Sequence, residues 1–81
     1  MSRAEKMEQV GEIMGNVFDI DMPPISESTS AEDIEEWDSL HHIRLIVAIE
    51  RRYKVRFSNP EVESMNNIGD LINLIEQKLG R

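Results

Sequence analysis

The chain has no cysteine. Neither a disulfide nor a thiolate-bound metal can hold it together, so its 81 residues must be stabilised by packing alone. Such packing needs regular apolar faces, and the sequence supplies them with a helical period. Met7, Val10, Met14 and Val17 stand at i, i+3, i+7 and i+10, which predicts a first helix over 3–17. Ser2 and Glu5 have the spacing of a capping box at its start. The strongest segment is Ser39 to Tyr53. At about 100° per residue, Ile43, Ile46, Ile49 and Tyr53 form one face, assigned to the core. Leu40, Arg44, Val47 and Arg51 form a second face, assigned to solvent, with His41 and Ala48 beside them. Pro60 suits the first turn of a short helix over 60–64. Asn66 or Asn67 caps a last helix on which Ile68, Leu71, Ile72, Ile75 and Leu79 repeat, and Gly80 ends it. Val55 and Phe57 have strand-like character, but a lone short strand has nothing to pair with.

Between the first two helices, Phe18 to Asp38 contains Pro23-Pro24 and a Ser/Thr cluster at 26–30, which breaks any helix and predicts a long loop. A loop of that length in a small domain carries function or is anchored; Phe18, Ile20, Ile25, Ile34 and Trp37 are the expected anchors. No internal repeat or linker divides the chain. The expected architecture is all-α: a single domain over 1–81, a four-helix bundle of three longer helices and one short third helix, with a long first loop.

The net charge of −7 argues against nucleic acid and anionic membrane as partners. The longest apolar run, Leu45 to Ile49, falls far short of the ~20 residues of a membrane span. MSRAEKMEQV carries charges of both signs and has no apolar stretch of a signal peptide, so a cytoplasmic protein is expected. Every apolar stripe has a place within one bundle, so a monomer is expected. The charge is uneven. Residues 1–43 carry eleven acidic side chains against Arg3 and Lys6, whereas residues 44–81 carry seven basic and five acidic ones.

Enzyme motifs are missing. There is no glycine-rich phosphate loop and no HExxH, and so small a core is a poor host for a walled catalytic cavity; no catalytic residue is assigned. Asp19-Ile-Asp21 begins like a calcium loop, but Pro23-Pro24 and the missing Gly and Glu exclude an EF-hand. The acidic loop reads as a solvated surface, and no metal ligand is assigned. His41 and His42 are adjacent, hence about 100° apart on a helix and unable to chelate one ion; they read as a surface histidine and a bundle-end histidine. Ser39 is different. It stands where the acidic loop meets the strongest helix, in Trp37-Asp38-Ser39-Leu40. As a cap it would be ordinary. A hydroxyl at a helix N-terminus is also placed to hold a phosphate, with Leu40, Arg44 and Val47 as a contact face beside it. That arrangement suits a serine modified by other enzymes.

Asp38-Ser39-Leu40 at the head of the second helix resembles the D-S-L attachment motif of the acyl carrier proteins. The resemblance extends over essentially the whole chain, in its length, acidity, long first loop, short third helix and lack of cysteine. Ile43, Ile46, Ile49, Tyr53, Phe57, Val62, Met65, Ile68, Leu71 and Ile72 match the family's core positions without a gap. The resemblance implies a bundle of acyl-carrier type and no enzymatic activity. It implies that Ser39 accepts 4′-phosphopantetheine from coenzyme A, through a phosphopantetheinyl transferase, and that the arm's thiol then holds an acyl group as a thioester. Acyl-loading and acyl-using enzymes of one pathway would be the partners, meeting Leu40, His41, Arg44, Val47, Ala48, Glu50 and Arg51. Ile43, Ile46 and Tyr53 with Met65, Ile68 and Leu71 would line the acyl pocket. The sequence departs from the pattern of housekeeping fatty-acid carriers where His41, Arg44 and Arg51 replace acidic residues of the second helix, which implies a carrier dedicated to one fatty-acid, lipid or polyketide-type pathway. An aminoacyl, peptidyl or D-alanyl carrier is the near alternative. An acidic helical interaction module without a prosthetic group is the alternative of another class.

Overall fold

The computed structural model describes residues 2–80. Four helices follow one another: α1 (Arg3–Phe18), α2 (Ser39–Tyr53), α3 (Asn59–Glu63) and α4 (Ile68–Lys78). There is no strand among the described residues. The ends are set by local chemistry. Ser2 accepts from the Glu5 amide while the Glu5 carboxylate accepts from the Ser2 N–H, a complete capping box; Ser58 and Glu61 repeat it at α3. Asn67, not Asn66, caps α4. Asp19 and Lys54 close α1 and α2 in the left-handed region, at φ 57° and 56°, returning their amides to Gly15 and Glu50 carbonyls.

The core is one cluster: Val10, Met14 and Phe18 of α1, Leu45, Ile46 and Ile49 of α2, Ile68, Leu71, Ile72 and Ile75 of α4, and Ile34 and Trp37 of the loop. Two expectations are corrected. The buried stripe of α1 runs Lys6, Val10, Met14, Phe18, so Met7 and Val17 flank it. On α2 the buried face is turned toward Leu45, and Ile43 is 55% exposed. Ile43 lies about 100° from His42 and so at the edge of a face centred near Ile46 and Ile49; a hydrophobic period alone cannot choose between Ile43 and Leu45 as the flank.

Lys6 is only 2% exposed. Its ammonium meets Glu76 at 3.3 Å, and Arg3 meets the same carboxylate at 2.7 Å. Arg3 also grips Glu27 of the loop with Nε at 2.9 Å and Nη2 at 2.8 Å. This paired geometry raises the Arg3 pKa and lowers that of Glu27, the shared hydrogen bond being the main cause in each. The loop is thereby tied to α1 and α4 together.

The loop also satisfies the start of α4. The first amides of a helix have no partner within it; here Ile68 donates to Thr29 O and Gly69 to Glu27 O, both at 2.9 Å. The approach is so close that a Cβ on Gly69 would stand 3.1 Å from Glu27 O and Glu27 Cβ. Alanine exceeds glycine by about 1 kcal/mol in helix propensity, so Gly69→Ala has two opposed effects. The contact is with backbone and decides the sign: Gly69→Ala is expected to lower the melting temperature and to speed hydrogen exchange at Ile68. A higher melting temperature would show that the loop is not seated on α4.

Candidate functional site

The loop ends where α2 begins, and the junction is built from four consecutive residues. Trp37 is 7% exposed and belongs to the core. Asp38 has extended backbone and caps α2, its Oδ1 accepting the His41 amide at 2.9 Å. Ser39 is therefore the first helical residue and not the cap, and it is exposed. Leu40 follows at 58% exposure.

The same Asp38 oxygen also meets His41 Nδ1 at 2.9 Å. The Asp38 carboxyl is held below the usual aspartate range, first by the His41 amide and then by the His41 ring. Its charge is thus turned along α2 toward His41, beside the exposed Ser39 hydroxyl. The hydroxyl stands in the positive field of the helix N-terminus, which favours a phosphodiester attached there. Serine supplies the oxygen for the ester, and the exposed position admits a modifying enzyme. The residues present fit a phosphate-linked arm.

Beneath Ser39 lies an aromatic floor. Phe18 packs against Trp37 with ring centroids 6.3 Å apart and meets His41 edge-on at 5.6 Å. The Trp37 indole N–H donates to His42 Nδ1 at 3.0 Å. Beside Ser39 opens a groove of about 390 Å³, walled by Ala31, Trp37, His42, Met65 and Asn66.

This local geometry can be compared with known proteins. The family of the phosphopantetheine attachment site matches residues 8–75. The chain belongs to the acyl carrier protein family. It is 28% identical over 79 residues to an acyl carrier protein of Thermotoga maritima, covering 98% of each chain, and 27% identical over 73 residues to polyketide-8 synthase acyl carrier protein 2 of Streptomyces avermitilis, covering 90% of this chain and 84% of that one. A holo acyl carrier protein from Geobacter metallireducens superimposes with a TM-score of 0.84 at 41% identity, covering 93% of this chain and 86% of that one. The solved Thermotoga maritima structure shares the fold, with a TM-score of 0.89 at 22% identity over 99% of this chain and 93% of that one. Members of this family are carriers and not enzymes, and their prosthetic group is phosphopantetheine.

In this acyl carrier protein, the remaining residues singled out from sequence fall in different places. Leu40, Ile43 and Val47 are 58%, 55% and 41% exposed, and with exposed Arg44 and Arg51 they form one outward face of α2. Ala48 is half-buried. Glu50 is half-buried and accepts the Phe57 amide at 2.9 Å, which closes the turn after α2. Ile46, Ile68 and Leu71 are buried together in the core, and Met65 borders the groove. Tyr53 is directed elsewhere than the expected pocket: its hydroxyl donates to Gln9 of α1 at 2.6 Å. Ile43, expected in the same pocket, stands on the outward face instead. From sequence, His42 reads as a bundle-end histidine and Trp37 as an anchor, and the hydrogen bond between them is missed. The signal was present, since Trp37 precedes the cap and His42 is the fourth helical residue, the two positions of a hydrophobic staple.

The depressed Asp38 pKa fixes a sign. The cap contributes fully above the ordinary aspartate range, and its contribution is lost as pH falls through the folded-state value. Asparagine caps as well as aspartate without ionising. Asp38→Asn is therefore expected to match wild-type stability at neutral pH and to protect the His41 amide independently of pH, whereas wild type loses that protection on acidification and Asp38→Ala lacks it at every pH. Hydrogen exchange monitored by NMR checks both.

Proposed function

We propose that Ser39, within Asp38-Ser39-Leu40, is the attachment point of 4′-phosphopantetheine, and that this chain carries acyl intermediates as thioesters for a pathway of its own. Exposure of Ser39 at the head of α2, with the capping duty taken by Asp38, is the observation that carries the assignment. The group would arrive from coenzyme A by action of a separate transferase: a bond forms from Ser39 Oγ to phosphorus, the pyrophosphate link of coenzyme A breaks, and adenosine 3′,5′-bisphosphate and the hydroxyl proton leave. When bound, it supplies the thiol that the chain lacks. The protein's own residues fix the hydroxyl, direct the Asp38 charge toward His41 and present a docking face. Tethering raises the effective concentration of the substrate for successive enzymes.

The outward face of α2 supports the dedicated pathway. Leu40, Ile43 and Val47 offer apolar contact, and Arg44 and Arg51 give the face positive charge in a chain of net charge −7. His41 and Ala48 border it. Such a sign selects partners and governs encounter rates. Ile46, Ile68, Leu71 and Met65 stand between α2 and α4 as the residues an acyl chain would displace.

With coenzyme A, magnesium and a broad-specificity transferase, wild type is expected to gain about 340 Da, the mass of the arm, and Ser39→Ala to gain nothing. The holo protein is expected to be a poor substrate for a ketosynthase of bulk fatty-acid synthesis, and Arg44→Glu with Arg51→Glu to improve it at least about tenfold. Wild type left unmodified by several transferases would overturn the carrier assignment. Full wild-type turnover by that ketosynthase would overturn the dedicated pathway.

A further inference from the structure

One wall of the groove beside Ser39 is the Trp37 indole, which is hydrogen-bonded to an imidazole. Trp37 is the only tryptophan of the chain. Its Nε1–H donates to His42 Nδ1 at 3.0 Å, and His42 Nε2 lies 3.4 Å from the Val62 carbonyl of α3. An indole N–H can only donate, so Nδ1 must be the acceptor; a carbonyl can only accept, so Nε2 must carry the proton. Both partners select the same neutral tautomer. The two rings also lie 6.0 Å apart, tilted by 31°. A chain of contacts thus runs from the loop through α2 to α3, across the groove that opens at Ser39.

We propose that His42 is a positioning residue of the Ser39 site: as the neutral Nε2–H tautomer it fixes Trp37 as the groove wall and joins that wall to α3. Protonation sets a ring N–H against the indole N–H and releases the wall. The charged groups on the elements that meet the ring are these. Asp38 at the head of α2 is paired with His41. Glu36 lies in the loop, half-buried. Glu61 and Glu63 flank Val62 on α3, and Glu61 is paired with Lys78 of α4 at 2.9 Å. None of these carboxylates hydrogen-bonds His42 among the described residues, so the indole and the carbonyl determine its tautomer.

The functional meaning rests on Ser39 as the attachment point, but the structural content does not, and the experiment separates them. In the full apo chain, NMR follows the His42 ring nitrogens and the Trp37 indole N–H from about pH 8 to about pH 5, the range in which histidine charges. The Nε2–H tautomer is expected at the upper end. Exchange of the indole proton is expected to quicken at least about tenfold, with the same midpoint as the His42 ring. His42→Asn offers an acceptor near the place of Nδ1 without titrating, and should protect the indole proton throughout. His42→Phe should leave it unprotected throughout. If His42→Phe does not fold, wild type against His42→Asn decides. An Nδ1–H tautomer, or indole exchange that is flat across the His42 titration, overturns the proposal.

The transferase assay gives a second readout. The ratio of wild-type to His42→Asn modification rates is expected to fall on acidification, since the pH profile of the transferase cancels in the ratio. A constant ratio overturns the positioning role. A chain that shows the tautomer and its titration but is never modified at Ser39 refutes the attachment point and leaves the tautomer standing.

Discussion

The structure depends on two backbone hydrogen bonds between the first loop and α4. Ile68 and Gly69 donate to Thr29 and Glu27 carbonyls, satisfying helix amides that would otherwise need solvent or a side chain. They hold down the middle of a segment that has no secondary structure of its own. Arg3 reinforces them from α1 by gripping Glu27 and Glu76 at once. With the middle fixed, the loop's end drops Ile34 and Trp37 into the core. Asp38 then arrives at α2 in the extended conformation that a cap requires. Ser39 is exposed because everything before it has been placed.

A carrier has a different physical problem from an enzyme. It must hold one hydroxyl in a defined place, leave it open to a modifying protein, and afterwards tolerate a long arm. The junction at residues 37–42 divides those duties. Trp37 is buried as an anchor, Asp38 caps, Ser39 and Leu40 are exposed, His41 hydrogen-bonds the cap and His42 accepts the Trp37 indole N–H. Rigid support below and an open hydroxyl above are compatible only because the helix start separates consecutive side chains by about 100°.

Much of this was legible in the sequence. Cap chemistry and apolar period placed the helices to within a residue or so, because Ser2, Pro60, Asn67 and Gly80 act locally. Asp38-Ser39-Leu40 stood out through its resemblance to the family's attachment motif, since as a cap alone it is ordinary. What was not legible depends on rotation and on distant partners. The period allowed Ile43 or Leu45 as the flank of the α2 core, and packing chose Leu45. Lys6 enters the sequence reading only as a charge to be counted, yet it is buried against Glu76, a partner far along the chain. Nothing local to Gly69 reveals the loop that passes over it.

The central claim is that one hydroxyl among seven serines is the attachment point because the fold presents it at the head of α2. Its most direct measurement is proteolytic digestion of the transferase-treated chain, followed by fragmentation mass spectrometry to locate the added arm. The account predicts all of the modification on Ser39, in the peptide that begins after Lys6 and contains Trp37-Asp38-Ser39-Leu40. Modification on Ser26, Ser28, Ser58 or any other residue would contradict it.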